Sequence, residues 1–229
     1  MFDLQGYGPS ILEGARVTIE VGLASLAISM VLGMIGALAK LSASKPLRLT
    51  AQLYTTIIRG IPDLVLMLLL FFGGQVLINQ MAPLLGFEDY IDINPFMAGV
   101  ATIGFIFGAY MTETFRGAIL AVPKGQIEAA YAYGMRRGQT FVRILLPQMI
   151  RHAIPGFGNN WLVLVKTTAL VSIIGLDDMV RKATLAGGAT RMPFTFLIVV
   201  AITYLVITSI SGTILRYLEN RYSAGVVKG

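Results

Sequence analysis

Cysteine is absent from this 229-residue chain and histidine occurs once, at position 152. The first absence excludes a disulfide framework and a thiolate metal site, and the second excludes a histidine cluster, so metal chemistry has little to build on. Charge is scarce as well: 13% of the residues are charged, where an ordinary soluble domain carries about 25%. No phosphate-binding G-x-x-x-x-G-K-[ST] loop is present, so the sequence predicts neither ATP binding nor ATP hydrolysis by this chain. The opening MFDLQGYGPS lacks a basic segment and a small-residue cleavage site, so no removable signal peptide is expected. Internal repeats and low-complexity tracts are also missing. These absences exclude a zinc enzyme, a disulfide scaffold and a self-contained ATPase.

Apolar sequence is what remains. Hydrophobic residues make up 55% of the chain and the mean hydropathy is +0.74, so much of the side-chain surface must face lipid. A spanning helix needs roughly 20 mostly apolar residues. Five windows meet that demand, 17–39, 61–78, 96–115, 153–174 and 193–215, and they predict an all-α membrane protein in a single transmembrane domain, 1–229. Lys and Arg collect in cytoplasmic loops. Lys40, Lys45, Arg48 and Arg59 between spans 1 and 2, six basic residues between spans 3 and 4, and Arg216, Arg221 and Lys228 after span 5 fall on one side. The opposite side has Arg16 before span 1, Glu88, Asp89 and Asp92 with no basic residue between spans 2 and 3, and Arg181, Lys182 and Arg191 between spans 4 and 5. The N-terminus is therefore expected outside and the C-terminus inside. The excess of 18 basic over 12 acidic residues then needs no nucleic acid.

The largest predicted cytoplasmic loop, 116–151, is more patterned than a tether requires. Pro123 can open a helix, Glu128 is expected in its first turn where a carboxylate suits the helix dipole, and Gly134 should end it. A second apolar-periodic run, Phe141, Ile144, Leu145 and Ile150, is expected to break at Pro147. Ala130 and Gly134, four residues apart, would leave one helix face nearly without side chains, open to another backbone. A plain solvated loop accounts for these features about as well.

The run Glu128, Ala129, Ala130, then Gly134, then Ile144, Leu146 and Pro147 resembles the cytoplasmic signature of importer-type ABC permeases, Glu-Ala-Ala, three residues, Gly, nine residues, Ile-x-Leu-Pro, at every specified position. TTIIRGIPDLVLMLL at 55–69, GAYMTETFRGAILAVPKGQIEAA at 108–130 and VLVKTTALVSIIGLDDM at 163–179 look like the polar amino acid uptake branch. The whole chain is similar to the Q-type membrane subunits of histidine and lysine/arginine/ornithine permeases. The resemblance implies that the loop is a coupling helix seated on a separate ATP-hydrolysing subunit, with ATP and magnesium held there and no cofactor in this chain. It also implies a second permease subunit, identical or different, a dimer of ATPase subunits, and an extracytoplasmic amino acid-binding protein, all at a bacterial cytoplasmic (inner) membrane. Phe87 to Asp92 and Asp177 to Arg191 are the candidate docking surfaces for the binding protein, and simple solvated loops account for them at least as well.

Charges inside spans are costly and usually functional. Glu113, Asp63, Lys166 and Thr167 are therefore the candidate substrate contacts, with acids for a cationic side chain and Lys166 with Thr167 for the substrate carboxylate. Rival readings stand beside each: Glu113 and Lys166 pairing with each other, and Asp63 capping the helix that begins after Pro62. Glu20, in the outer half of span 1, is expected to face lipid headgroups or a partner and is not a substrate candidate. Asn159 and Asn160 either line a pathway or stitch helices together. Gly104 and Gly108 form a G-x-x-x-G packing motif against an unassigned helix. The expected cargo is a basic amino acid; a neutral or acidic one such as glutamine or glutamate is the alternative. An ion-driven secondary transporter is disfavoured by the lack of inverted halves, and a membrane enzyme by the lack of a nucleophile and base.

Overall fold

The computed structural model describes residues 4–86 and 89–223, and every described element is helical. Four helices among the described residues are long and apolar enough to cross a membrane. They belong to α1 (Gly8–Lys40), α3 (Asp63–Met81, continued by a 3-10 turn at Ala82–Leu85), α4 (Pro95–Leu120) and α9 (Pro193–Ser223). At 1.5 Å per residue the 33 residues of α1 extend about 50 Å, well past a hydrocarbon core of about 30 Å. The helix thus begins nine residues ahead of the predicted span 1, 17–39.

Span 4 differs more. The structure starts α7 earlier, at Leu146–Thr167, and replaces the expected last turns with a 3-10 segment, Thr168–Ser172. At 22 residues α7 is long enough for a bilayer, about 33 Å. Arg151, His152, Asn159, Asn160 and Lys166 keep it less apolar than the other four, and it is not among the helices that qualify on composition. It packs on α4 and α9, which half-buries Arg151 and Asn160 and leaves His152, Asn159 and Lys166 exposed.

The segment between spans 1 and 2 is a helix rather than a loop, α2 (Lys45–Gly60), opened by Pro46 in its first turn. Lys45, Arg48, Gln52, Thr56 and Arg59 fall on one face and Leu49, Leu53 and Ile57 on the adjoining one, so its amphipathy has the helical period. Beyond α4 the chain forms α5 (Lys124–Ala132), α6 (Arg137–Thr140), a π-helical segment (Phe141–Leu145) and α7. The expected outer loop between spans 4 and 5 contains α8 (Met179–Thr190), which packs against α1 and α9.

Close backbone approach joins α1 to α4. A Cβ on Gly104 would lie 2.7 Å from Ile28 Cβ and one on Gly108 2.8 Å from Leu32 Cβ, while Gly33 and Gly36 of α1 face Met111 and Thr112. The G-x-x-x-G motif therefore packs on α1, with Tyr54 of α2 against Gly108 as well. Interlocked small residues are how helices gain contact when lipid offers no hydrophobic drive. The main core cluster draws Val21, Ile58, Met67, Ile103, Phe107, Leu164 and Val171 from α1, α2, α3, α4, α7 and the 3-10 segment. A second cluster joins α1, α8 and α9 through Ile11, Met179, Ala183 and Phe196.

The stretch before α4 is fixed by side chains of α3. Asn79 donates to Ile91 O at 2.9 Å and accepts from Ile91 N at 2.8 Å, and Gln75 accepts from Ile93 N at 2.9 Å. Asn94 then caps α4, accepting from Phe96 N at 2.9 Å, with Pro95 as its first residue.

Candidate functional site

Two surfaces carry the functional expectations: the α5–α7 segment and a charged cavity at the Lys40 end of α1. In the first, α5 begins after Pro123 as expected and its last helical residue is Ala132. Glu128 is the fifth residue of α5 and not in its first turn, so its interaction with the dipole is weaker than the sequence suggested. Gly134 lies beyond the helix end at φ +78°, the left-handed conformation that closes a helix. Its amide donates to Tyr131 O at 2.9 Å, and Met135 N donates to Ala130 O at 3.0 Å. Gly134 therefore does not extend a bare helix face with Ala130. It is needed because an L side chain resists that φ.

Ala130 is buried, whereas Glu128, Ala129 and Gly134 are exposed. Beside them stand Tyr131 and Tyr133, the latter 89% exposed. Sequence reasoning passed over these two tyrosines, although aromatic residues on a polar loop are a recognisable interface signal. Ile144 lies in the π segment, Leu146 starts α7, and Pro147 sits in its first turn. Pro147 consequently does not interrupt the run. A proline tolerated at a helix start follows directly on the π segment, which re-phases the chain as it passes from α6 into α7.

The second surface is a cavity of about 550 Å³ lined by Lys40, Arg48, Gln52, Arg59, Glu113 and Arg116, with Thr55, Thr56 and Gly60. Glu113 is bridged: Lys40 Nζ contacts Oε1 and Arg116 Nε lies 2.9 Å from Oε2. The Lys40 side chain is 6% exposed and that of Glu113 21%. This overturns the rival reading in which Glu113 pairs with Lys166. Asn160 donates to Thr114 at 2.9 Å, which sets the level of α7 on α4, and Lys166 is six residues further along, about 9 Å. Lys166 is exposed with no ion pair among the described residues. The neighbouring Thr167 is buried, and its hydroxyl donates to Val163 O at 3.1 Å. Asp63, half-buried at the start of α3, also lacks an ion pair among the described residues and lies within electrostatic range of Tyr110, over whose ring Arg59 stacks at 5.4 Å.

The remaining polar candidates resolve into helix contacts. Asn160 stitches α7 to α4, while Asn159 is exposed. Glu20 pairs with Arg16 at 2.8 Å on the outside of α1. Of the candidate docking stretches, Phe87 and Glu88 lie outside the described residues, and Asp89 and Asp92 are exposed. Asp178 is fully buried, accepting from Arg181 N at 2.9 Å as the cap of α8, so it is no docking residue. Burial pushes its carboxyl up to about 6. No cluster of His, Asp or Glu suited to a metal occurs among the described residues.

The family model of the binding-protein-dependent transport system inner membrane component matches residues 29–224. The histidine/lysine/arginine/ornithine transport system permease protein HisQ of Salmonella typhimurium is 53% identical over 223 residues, 97% of each chain. The octopine transport system permease protein OccQ of Rhizobium radiobacter is 42% identical over 228 residues, 100% of this chain and 96% of its own. A crystal structure of an amino acid ABC transporter with histidines superposes with a TM-score of 0.81 at 32% identity, covering 96% of this chain and 98% of that one. The chain belongs to the family of binding-protein-dependent transport system inner membrane components.

Proposed function

We propose that the chain is the permease subunit of an ATP-driven importer of basic amino acids, histidine, lysine, arginine and ornithine, in a bacterial cytoplasmic membrane. The observation that carries this is the 53% identity, along 97% of both chains, to a permease named for those four substrates. In this reading α7 is span 4 of five, the N-terminus is outside, and the basic ends of α1, α4 and α9 are cytoplasmic. The exposed Glu128, Ala129, Tyr131 and Tyr133 meet a separate ATPase subunit that holds ATP and magnesium. The Gly134 turn and the π segment at Ile144, ahead of Leu146 and Pro147, pass its movement into α7. A second permease subunit and an extracytoplasmic binding protein complete the assembly.

Asp63 and Lys166, without ion pairs among the described residues, are proposed to face the substrate side chain and carboxylate. Glu113 is proposed to position α1 against α4, and Thr167 to hold its own helix turn, because both already have partners. The test is uptake of labelled arginine by vesicles containing the assembled importer. Excess lysine, ornithine or histidine should compete and glutamine or glutamate should not; competition by glutamine or glutamate alone overturns the basic assignment. Reporter fusions after Asp89 and Gly188 should be active outside the cytoplasm and one after Arg137 silent, and the reverse pattern overturns the orientation.

A further inference from the structure

Four cations and one carboxylate line the cavity between α2 and the ends of α1 and α4. Glu113 is shared by Lys40 and Arg116, so the lining carries three positive charges in excess, and Arg48 and Arg59 make no ion pair among the described residues. Such a chamber repels a cationic amino acid and attracts an anion. A second cavity of about 360 Å³, lined by Lys45, Arg48, Leu49 and Gln52, adjoins the first through their shared Arg48 and Gln52. Its Leu49 begins a stripe continued by Leu53 and Ile57 along α2 at four-residue spacing, whose members are all exposed. Basic face, polar floor and apolar stripe thus follow one another around a single helix, the arrangement of a segment lying at a membrane interface.

We propose that these joined cavities bind the phosphate headgroup of an anionic phospholipid. Arg48, Lys45 and Gln52 contact the phosphate, Lys40, Arg59 and Arg116 supply a favourable field, and the acyl chains run along Leu49, Leu53 and Ile57. Free phosphate would use the guanidinium equally well, but would leave that stripe uncovered. The lipid tethers α2, and through Lys40 and Glu113 it loads the contact between α1 and α4. Assignment to the cytoplasmic leaflet rests on the orientation proposed above, which the reporter fusions test separately.

The experiment uses the full chain in phosphatidylcholine nanodiscs containing a trace of photoreactive phosphatidylglycerol, with photoreactive phosphatidylcholine as the reference probe. Phosphatidylglycerol should crosslink preferentially within residues 45–59. K45Q/R48Q should weaken that preference about 30-fold, roughly fivefold for each charge near the surface, while R216Q/R221Q at the end of α9 should not. K45R/R48K retains both charges and should retain the preference, which separates loss of charge from loss of fold. Equal labelling by the two probes, or labelling that survives K45Q/R48Q, overturns the site. Displacement of the lipid by millimolar inorganic phosphate assigns the pocket to a free anion and overturns the lipid. Labelling confined to α3 or α9 places the lipid elsewhere and does the same.

Discussion

Replacing Glu113 by Gln should destabilise the chain without altering the shape of the residue. The geometry sets the scale, because each carboxylate oxygen of Glu113 holds its own cation and Lys40 is 6% exposed. Removing one member of a buried ion pair costs about 3–5 kcal/mol, since the charge left behind has lost both water and partner. Arg116 is 38% exposed and can rehydrate, which leaves Lys40 as the main loss and favours the low end, about 3 kcal/mol, or roughly 150-fold in the folding equilibrium. Lys40→Met in the same chain removes the stranded charge and should recover about 2 kcal/mol of that. Detergent-solubilised full chain titrated with SDS measures all four corners of the cycle. Lys166, about 9 Å along α7 from the level of Asn160, should behave otherwise: Glu113→Gln and Lys166→Met should add to within about 0.5 kcal/mol. Absence of coupling between positions 113 and 40, or equal coupling between 113 and 166, refutes the bridging argument. Recovered arginine uptake in the Glu113→Gln, Lys40→Met variant marks Glu113 as a positioning residue; assembly without uptake marks it as a substrate contact.

Other expectations concern single positions. Gly134→Asn should preserve retention of the ATPase subunit on co-purification while Gly134→Val reduces it, because asparagine tolerates the left-handed region and a β-branched residue does not; equal retention by both removes the argument from φ. Gly104→Leu should lower stability by about 1–3 kcal/mol in the SDS assay through overpacking against Ile28, and more than Gly104→Ala does. At Asp178, whose carboxyl is pushed up to about 6 by burial, the uncharged form is favoured in the folded chain. Its contribution to stability is present below about pH 4 and is lost as the pH rises through about 6, with the Arg181 guanidinium drawn 3.0 Å from Asp177 and only partly compensating. Asp178→Asn retains an oxygen to cap α8 and should flatten that slope; a slope that persists in the variant assigns it to another group.

The sequence disclosed whatever followed from composition and from periodicity over long windows. Four of its spans are present because 20 apolar residues with few charges have few other uses, and α7 was placed seven residues late because Arg151 and His152 broke the apolar window although the helix runs through them. The loop 116–151 showed its importance through Glu128 to Pro147, yet not its geometry: the role of Gly134 depends on a sign of φ, and that of Pro147 on a π segment, neither of which is written in a pattern of apolar residues. The charged residues were hardest to place. Glu113 and Lys166 looked like partners because both interrupted apolar windows on consecutive spans, whereas the pairing depends on depth along each helix. Lys40 closes α1 just where Glu113 descends in α4, and the parallel course of the two helices, Ile28 beside Gly104 and Leu32 beside Gly108, makes that meeting inevitable once Gly33 and Gly36 have set their register against Met111 and Thr112. An amphipathic α2 was likewise legible in the spacing of Arg48, Gln52, Thr56 and Arg59, but counting basic residues for topology treated them as loop charges. The arginines counted for topology also line the charged cavity, so a count that assigns sides cannot tell which of the counted residues also form a site.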